Sequence, residues 1–206
     1  MSKFRGIILE GYSHAGKTSV LKALKQLHVS EDAERSVVVL SEHYSQVLYK
    51  VQGELKKLSC EEHLQILKDR VAMLKRLNNW AIEIGQTQPS KGLYFILERF
   101  HLNHRVAFSH LLSDEIEELE AQLFEMGARC ILLTVSPENL PQRISSRNPK
   151  EWEGKTVEDM KLACEQLVEQ QQEYRLHAEK SIIPTLEINT DHKDWESYAK
   201  QIHSFI

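Results

Sequence analysis

The chain has little cysteine, no excess of basic residues and no long apolar run, and each shortage removes a class of function. Its three cysteines, Cys60, Cys130 and Cys164, are far apart and show no C-x-x-C spacing. That argues against a disulfide framework or a structural zinc site and fits reduced thiols. Cys130 lies inside an apolar run and reads as core. Lys and Arg number 26 against 30 Asp and Glu, a formal net charge of −4. Nucleic-acid polymers and anionic membranes select for a basic face, so neither partner is expected. No apolar stretch approaches a membrane span, and the start Met1-Ser2-Lys3-Phe4-Arg5 lacks a signal-peptide shape, so the expected location is the cytoplasm. What is present is 206 residues with 41% hydrophobic content, enough for one domain over residues 1–206 with its own core. Internal repeats, low-complexity tracts and linkers are absent.

The most informative stretch is Gly11-Tyr12-Ser13-His14-Ala15-Gly16-Lys17-Thr18, a complete G-x-x-x-x-G-K-[ST] string followed by Ser19. The two glycines let the backbone curl with its N–H groups inward around anionic oxygens. Lys17 adds a point charge for terminal phosphates, and the Thr18 hydroxyl is placed to ligate Mg²⁺. Its context supports the reading. Phe4 to Leu9 is apolar β material, and Val20, Leu21, Leu24 and Leu27 recur at helical spacing, so a helix N-terminus faces the phosphates.

Beyond this loop, strands and helices alternate. Ser36 to Leu40 reads as a second buried strand ending at Glu42-His43-Tyr44, and Leu93 to Leu97 as a third ending at Glu98-Arg99. In an open α/β sheet the carboxyl ends of strands face the ligand crevice, which makes Glu42, Tyr44, Glu98 and Arg99 site candidates. Glu98 stands where such folds hold a Mg²⁺-organising acid. Glu42 reads equally well as a carboxylate answering a helix dipole. Leu64, Leu67, Val71, Leu74 and Leu77 define a long helix from Glu61 to about Ile84, within which Asp69-Arg70 resembles ordinary solvated charge. His101 and His104 are three apart, but no third ligand accompanies them, so they are not expected to hold a metal. Ser113 is the expected N-cap of a helix from Asp114 to Met126, whose acidic run reads as a solvated face. Ala128 to Val135 is a fourth strand. Arg143 and Arg147 follow, four apart, before a pattern break over 148–155, and Thr156 caps a helix from Val157 to about Lys180. Residues 143–156 have the makings of a short arginine-bearing lid, although a plain surface helix would look similar. Thr185 to Ile188 is a fifth strand and Asp194 to Phe205 a final helix. The expected fold is a three-layer α/β P-loop NTPase fold, a five-stranded parallel sheet flanked by helices.

With these residues in place, the chain resembles the thymidylate kinase and deoxynucleoside kinase superfamily from about Gly6 to Asp191. Glu10-Gly11 and Ala15-Gly16-Lys17-Thr18 look like the phosphate-loop start shared by both branches. The segment Glu98-Arg99-Phe100-His101-Leu102-Asn103-His104-Arg105-Val106-Ala107-Phe108 is similar to the Glu-Arg-Ser segment of deoxynucleoside kinases, with Phe100 in place of Ser and His104 at a position that helps choose the base. Glu42 matches the Glu of their Glu-Pro motif, where the resemblance implies a general base, although His43 stands for Pro. Asp69-Arg70 looks like the thymidylate kinase helix whose Arg approaches the nucleobase. Arg143-Ile144-Ser145-Ser146-Arg147 is similar to their lid entry, with Pro149 where a further Arg is usual. The resemblance implies ATP-Mg²⁺ as donor, a homodimer built from helices, and a deoxy pyrimidine nucleoside or monophosphate as acceptor.

The expected activity is therefore transfer of the γ-phosphoryl group from ATP to such an acceptor. Lys17, Arg143 and Arg147 would neutralise the migrating charge, Glu42 would serve as base for a nucleoside hydroxyl with Arg99 orienting it, and Arg70, Arg99 and Arg105 would serve an anionic acceptor. A regulatory P-loop NTPase is the rival, but the chain has no D-x-x-G switch or N-K-x-D base reader. A small-metabolite kinase on the same scaffold would keep the loop and Glu98 and differ in the acceptor helix.

Overall fold

The computed structural model describes residues 4–31, 36–44, 47–51, 54–85, 92–111, 114–147 and 149–206. In chain order the strands are β1 (Phe4–Glu10), β2 (Ser36–Leu40), β3 (Leu48–Val51), β4 (Glu54–Lys57), β5 (Leu93–Glu98), β6 (Ala128–Thr134) and β7 (Thr185–Asn189). The helices are α1 (Lys17–Glu31), α2 (Cys60–Gly85), α3 (His101–Ala107), α4 (Asp114–Glu125), α5 (Leu140–Arg147), α6 (Pro149–Trp152), α7 (Val157–Lys180) and α8 (Trp195–Phe205).

Five strands form one parallel sheet in the order β2-β5-β1-β6-β7. The expected α/β architecture is thus present. The central strands read as continuous apolar runs because both faces are covered. Ile7, Ile8, Leu9, Phe95, Ile96, Leu97, Ile131, Leu132 and Leu133 are all buried. β2, at the sheet edge, is only half-buried. Parallel pairing brings every carboxyl end to the same edge, with Leu9 opposite Glu98 and Leu40 opposite Leu97. Leu64, Leu67, Val71 and Leu74 of α2 are buried at the spacing read from the sequence. Arg70 flanks Val71 on this stripe, so it is drawn under with the apolar residues and is itself buried.

Three local features depart from expectation. An antiparallel hairpin, β3 with β4, stands between β2 and α2. Its two strands are four residues each and mix Lys and Glu with apolar residues, too short a span for a period of two to register. The pattern break after Arg147 contains the short helix α6, because Pro149 occupies its first position, where a missing N–H costs nothing. The acidic run of α4 is not wholly solvated, since Glu120 is buried. The expected cap at Ser113 lies outside the described residues. At α7 the capping box is present: Asp159 N–H donates to Thr156 Oγ1 at 3.1 Å and Thr156 N–H to Asp159 Oδ2 at 2.8 Å. Among the described residues no helix is long and apolar enough to cross a membrane.

Gly6 fixes how closely β1 approaches β5. A Cβ there would stand 2.3 Å from the Phe95 carbonyl oxygen and 2.4 Å from the Phe95 ring. Gly6→Ala is therefore expected to lower unfolding free energy by about 3 kcal/mol through overpacking, measured by chemical denaturation. Wild-type stability in this variant would contradict the packing of Phe95 on β1.

Candidate functional site

The phosphate loop leaves β1 at Gly11 and enters α1 at Lys17, turning through left-handed backbone at Gly11 (φ 127°) and Gly16 (φ 94°). Gly16 is needed twice over, because a Cβ would also meet the Trp195 ring at 2.9 Å. The buried Lys17 Nζ donates to Gly11 O at 2.8 Å and Tyr12 O at 3.0 Å. Burial, followed by the charge of Arg99, pulls its ammonium down to about 7, against the opposing pull of Glu42, Glu10 and Glu98. Tyr12 is core beneath the loop, its phenol pushed above the usual range by burial. Ser13 Oγ accepts from Arg99 Nη2 at 3.2 Å. His14 takes a left-handed backbone (φ 77°). Ala15 O accepts from Thr190 Oγ1 at 3.0 Å, tying the loop to the end of β7.

Above the loop lies a cleft of about 460 Å³ whose lining includes Lys17, Thr18, Ser19, Glu42, Arg143 and Trp195. Arg143 is buried; its Nη2 donates to Thr190 O and its guanidinium lies 5.7 Å from the Trp195 ring centre. The side chains of Arg147 and Tyr44 lie outside what the structure describes. A second hollow of about 570 Å³ is bordered by His14, Val106, Ile144, Trp152 and α7.

The carboxyl ends of β2 and β5 meet beside the cleft. Glu98 is buried, and its Oε2 accepts the Glu42 N–H at 3.2 Å. Arg99 has a left-handed backbone (φ 51°), and its N–H donates to Leu9 O at 3.0 Å. Its Nε lies 3.0 Å from Glu42 Oε2, a charge contact out of line for a hydrogen bond. Arg70 reaches this edge from α2. Its Nη2 donates to Leu40 O at 2.9 Å, its guanidinium covers the Phe100 ring at 5.3 Å, and its Nε and Nη1 are buried without a hydrogen-bond partner. Burial lowers it to about 10, against the charges of Glu10 and Glu98. Lys17, Thr18, Glu42, Glu98, Arg99 and Arg143 thus gather at one edge, with Arg70 close behind.

His104 and Arg105 are placed elsewhere. Arg105 forms a bidentate pair with Glu120 of α4, Nε to Oε1 at 2.7 Å and Nη2 to Oε2 at 3.1 Å, both residues buried. His104 Nδ1 lies 2.9 Å from Nδ1 of His63 on α2, with the rings parallel and Phe108 tilted against both. Burial, then the charges of His63 and Arg105, lowers His104 to about 4, leaving it neutral near pH 7. Both side chains pack between α2, α3 and α4 in this structure, and a role for either in binding an acceptor stays a proposal. The short helix α3 is buried on several sides, and spacing does not say which side meets the cleft. His101 is also buried and held low, at about 3. Among the described residues no group of three or more His, Cys, Asp or Glu is placed to hold a metal by itself. The sequence marks Glu10 only as the residue before the phosphate loop, and it assigns no role to Thr190, Lys193 or Trp195. A charged Glu closing an apolar strand was the available signal for the first, whereas the others lie beyond the last strand and carry no motif.

A phosphate cradle at the carboxyl end of the central strand of a parallel sheet, with acids at the neighbouring strand ends, defines the P-loop NTPase fold. No family model and no curated protein matches the chain. Solved structures do. YorR from Bacillus subtilis, determined in complex with phosphorylated GDP, aligns over 97% of this chain and 94% of its own, with 14% identity and a TM-score of 0.56. APE1195 aligns over 100% and 95%, with 16% identity and a TM-score of 0.52. At such identity the likeness is one of fold.

Because burial holds the Lys17 ammonium down at about 7 and the group must be charged to meet a polyphosphate, binding should take up a proton above that pH. Affinity for a nucleoside triphosphate is expected to fall as pH rises from about 7 to about 9, with uptake approaching about one proton per ligand. Calorimetry in two buffers of different ionisation enthalpy measures this. Absence of uptake at the upper pH would mean that Lys17 is already charged.

Proposed function

We propose that the protein is an ATP-dependent phosphotransferase acting on a nucleoside or nucleoside monophosphate, with a deoxy pyrimidine acceptor favoured by the resemblance of its motifs. The observation that carries this is the placement of Glu42. It lines the same cleft as Lys17 and Thr18, and its carboxylate contacts Arg99 at 3.0 Å. A plain NTPase needs the cradle, whereas a carboxylate and an arginine brought against it from other strands are what a second substrate requires.

Phosphoryl transfer demands alignment and charge neutralisation more than covalent help. In this reading the loop amides and Lys17 hold the donor phosphates, with Arg143 and Arg147 closing from the lid. Lys17 would exchange its bonds to Gly11 and Tyr12 carbonyls for phosphate oxygens. Thr18 and Glu98 offer the hard oxygen donors that Mg²⁺ favours, and the bound ion would neutralise β- and γ-phosphate charge. A nucleoside hydroxyl would lose its proton to Glu42 with Arg99 orienting the oxygen. An acceptor phosphate would need no base and would draw on Arg99 and on the two unpartnered nitrogens of Arg70.

The test is Mg²⁺-dependent ATP consumption across nucleosides and their monophosphates, with Lys17→Ala as the blank. YorR holds a phosphorylated guanine nucleotide, so GTP is run beside ATP. For a nucleoside acceptor, Glu42→Gln should lower kcat by about a hundredfold to ten-thousandfold; for a monophosphate it should lower kcat only a few-fold. Full turnover of a nucleoside by this variant would remove Glu42 as base. Slow hydrolysis indifferent to every acceptor would favour a regulatory NTPase or a kinase for another small metabolite.

A further inference from the structure

Glu10 has no part in the transfer chemistry above, yet its carboxylate joins the two halves of the site. It closes β1 directly before Gly11 and is fully buried. Its Oε1 accepts the N–H groups of Phe100 at 2.8 Å, Leu102 at 3.0 Å and Asn103 at 3.4 Å. These amides open α3, which has no capping side chain of its own. Oε2 has no hydrogen-bond partner. His101 Nδ1 lies 3.6 Å from Oε1, and the charge of Lys17 favours the carboxylate.

The bonds fall on either side of a strained residue. Arg99 sits in left-handed backbone, a conformation unfavourable for a non-glycine residue. Its own N–H is held by Leu9 O, and the next N–H, that of Phe100, by Glu10. Two consecutive residues of β1 therefore grip the chain on both sides of the Arg99 side chain. The direction of that side chain, toward Glu42 and Ser13, follows from this grip.

We propose that Glu10 is a positioning residue for phosphoryl transfer: by anchoring the first turn of α3 to the residue that precedes the phosphate loop, it fixes Arg99 and Glu98 relative to the donor phosphates. The inference rests on the phosphotransferase reading. It follows from how alignment behaves, since a displacement of about 1 Å in a reacting group lowers rate roughly a hundredfold. The anchor needs one acceptor oxygen in place and does not need a negative charge. Burial pushes the Glu10 carboxyl up to about 7, outweighing the three amides and Lys17, so near neutrality the protonated form is well populated with Oε1 still an acceptor. A carboxamide can keep all three bonds, with its NH₂ where Oε2 now stands unpartnered.

Glu10→Gln, Glu10→Asp and Glu10→Ala separate the possibilities. Amide hydrogen exchange at Phe100, Leu102 and Asn103 is measured in each, beside kcat and KM for donor and acceptor with the best acceptor of the wild-type panel. Glu10→Ala should speed exchange at those amides at least about tenfold and lower kcat about a hundredfold, leaving donor KM within about twofold. Glu10→Gln should restore both exchange and kcat to within a few-fold. Glu10→Asp, which keeps the charge but withdraws the oxygen by one methylene, should behave like Glu10→Ala and serves in its place if alanine prevents folding. Unchanged kcat in folded Glu10→Asp or Glu10→Ala would overturn the proposal while wild-type turnover left the kinase reading intact. A loss in Glu10→Gln as deep as that in Glu10→Asp would overturn it too, because an acceptor oxygen in place would then not suffice without the charge. A wild-type protein that phosphorylates nothing in the panel would refute the kinase reading, and the exchange data would then still report whether Glu10 anchors α3.

Discussion

The pairing of β1 with β5 is the constraint on which the site depends. It begins where Gly6 lets Phe95 pack onto the strand, runs in parallel register to Leu9 opposite Glu98, and continues past the sheet as the bond from Arg99 N–H to Leu9 O. Strands in parallel register cannot slip by one residue without turning every side chain to the other face. The register that sets Ile7 opposite Ile96 is therefore the register that brings Glu98 level with Leu9, one residue before Glu10 closes the strand. Core packing and site geometry are settled by one set of backbone bonds.

Charge is distributed around that edge by how much water and how many partners each group retains. Glu42 and Arg99 remain partly exposed and contact one another, so both keep freedom to meet a ligand. Glu10 is satisfied on one oxygen by backbone and Arg70 on one nitrogen, each with capacity left over. Arg105 and Glu120, by contrast, satisfy each other bidentately away from solvent, and removing one partner of such a pair leaves a stranded charge. The ionic groups thus divide into a saturated pair that holds α3 to α4 and an unsaturated set at the strand ends around the cleft. Unsaturation, more than charge itself, separates the two sets.

Much of this was legible from sequence because the relevant signals are local. The phosphate loop combines a strand, two glycines and a helix within a short span, and the strand ends bearing Glu42 and Glu98-Arg99 are apolar runs stopping abruptly at charge. The long helix from Cys60 and the capping box at Thr156 were readable for the same reason. What was not legible depends on partners distant in the chain. Nothing near Arg105 announces Glu120, and nothing near His104 announces His63. The match of His104 to a base-choosing position described where it lies on α3 but not what α2 brings against it. Pro149 was read as a break because proline ends helices inside them and begins them at the first position, and composition alone does not distinguish the two.

The closeness of Trp195 to Gly16 has a consequence of another kind. The indole edge stands where a single methyl at Gly16 would already collide, and the Arg143 guanidinium lies 5.7 Å from the ring. Indole emission follows the polarity and electric field around the ring. Phosphate entering the cleft would alter both, by introducing anionic oxygens and by drawing on Arg143. Of the other two tryptophans, Trp80 is exposed on α2 and Trp152 lies in α6 under the cation of Lys155. The chain thus carries its own optical reporter at the mouth of the phosphate loop, able to register occupancy in real time without any attached dye.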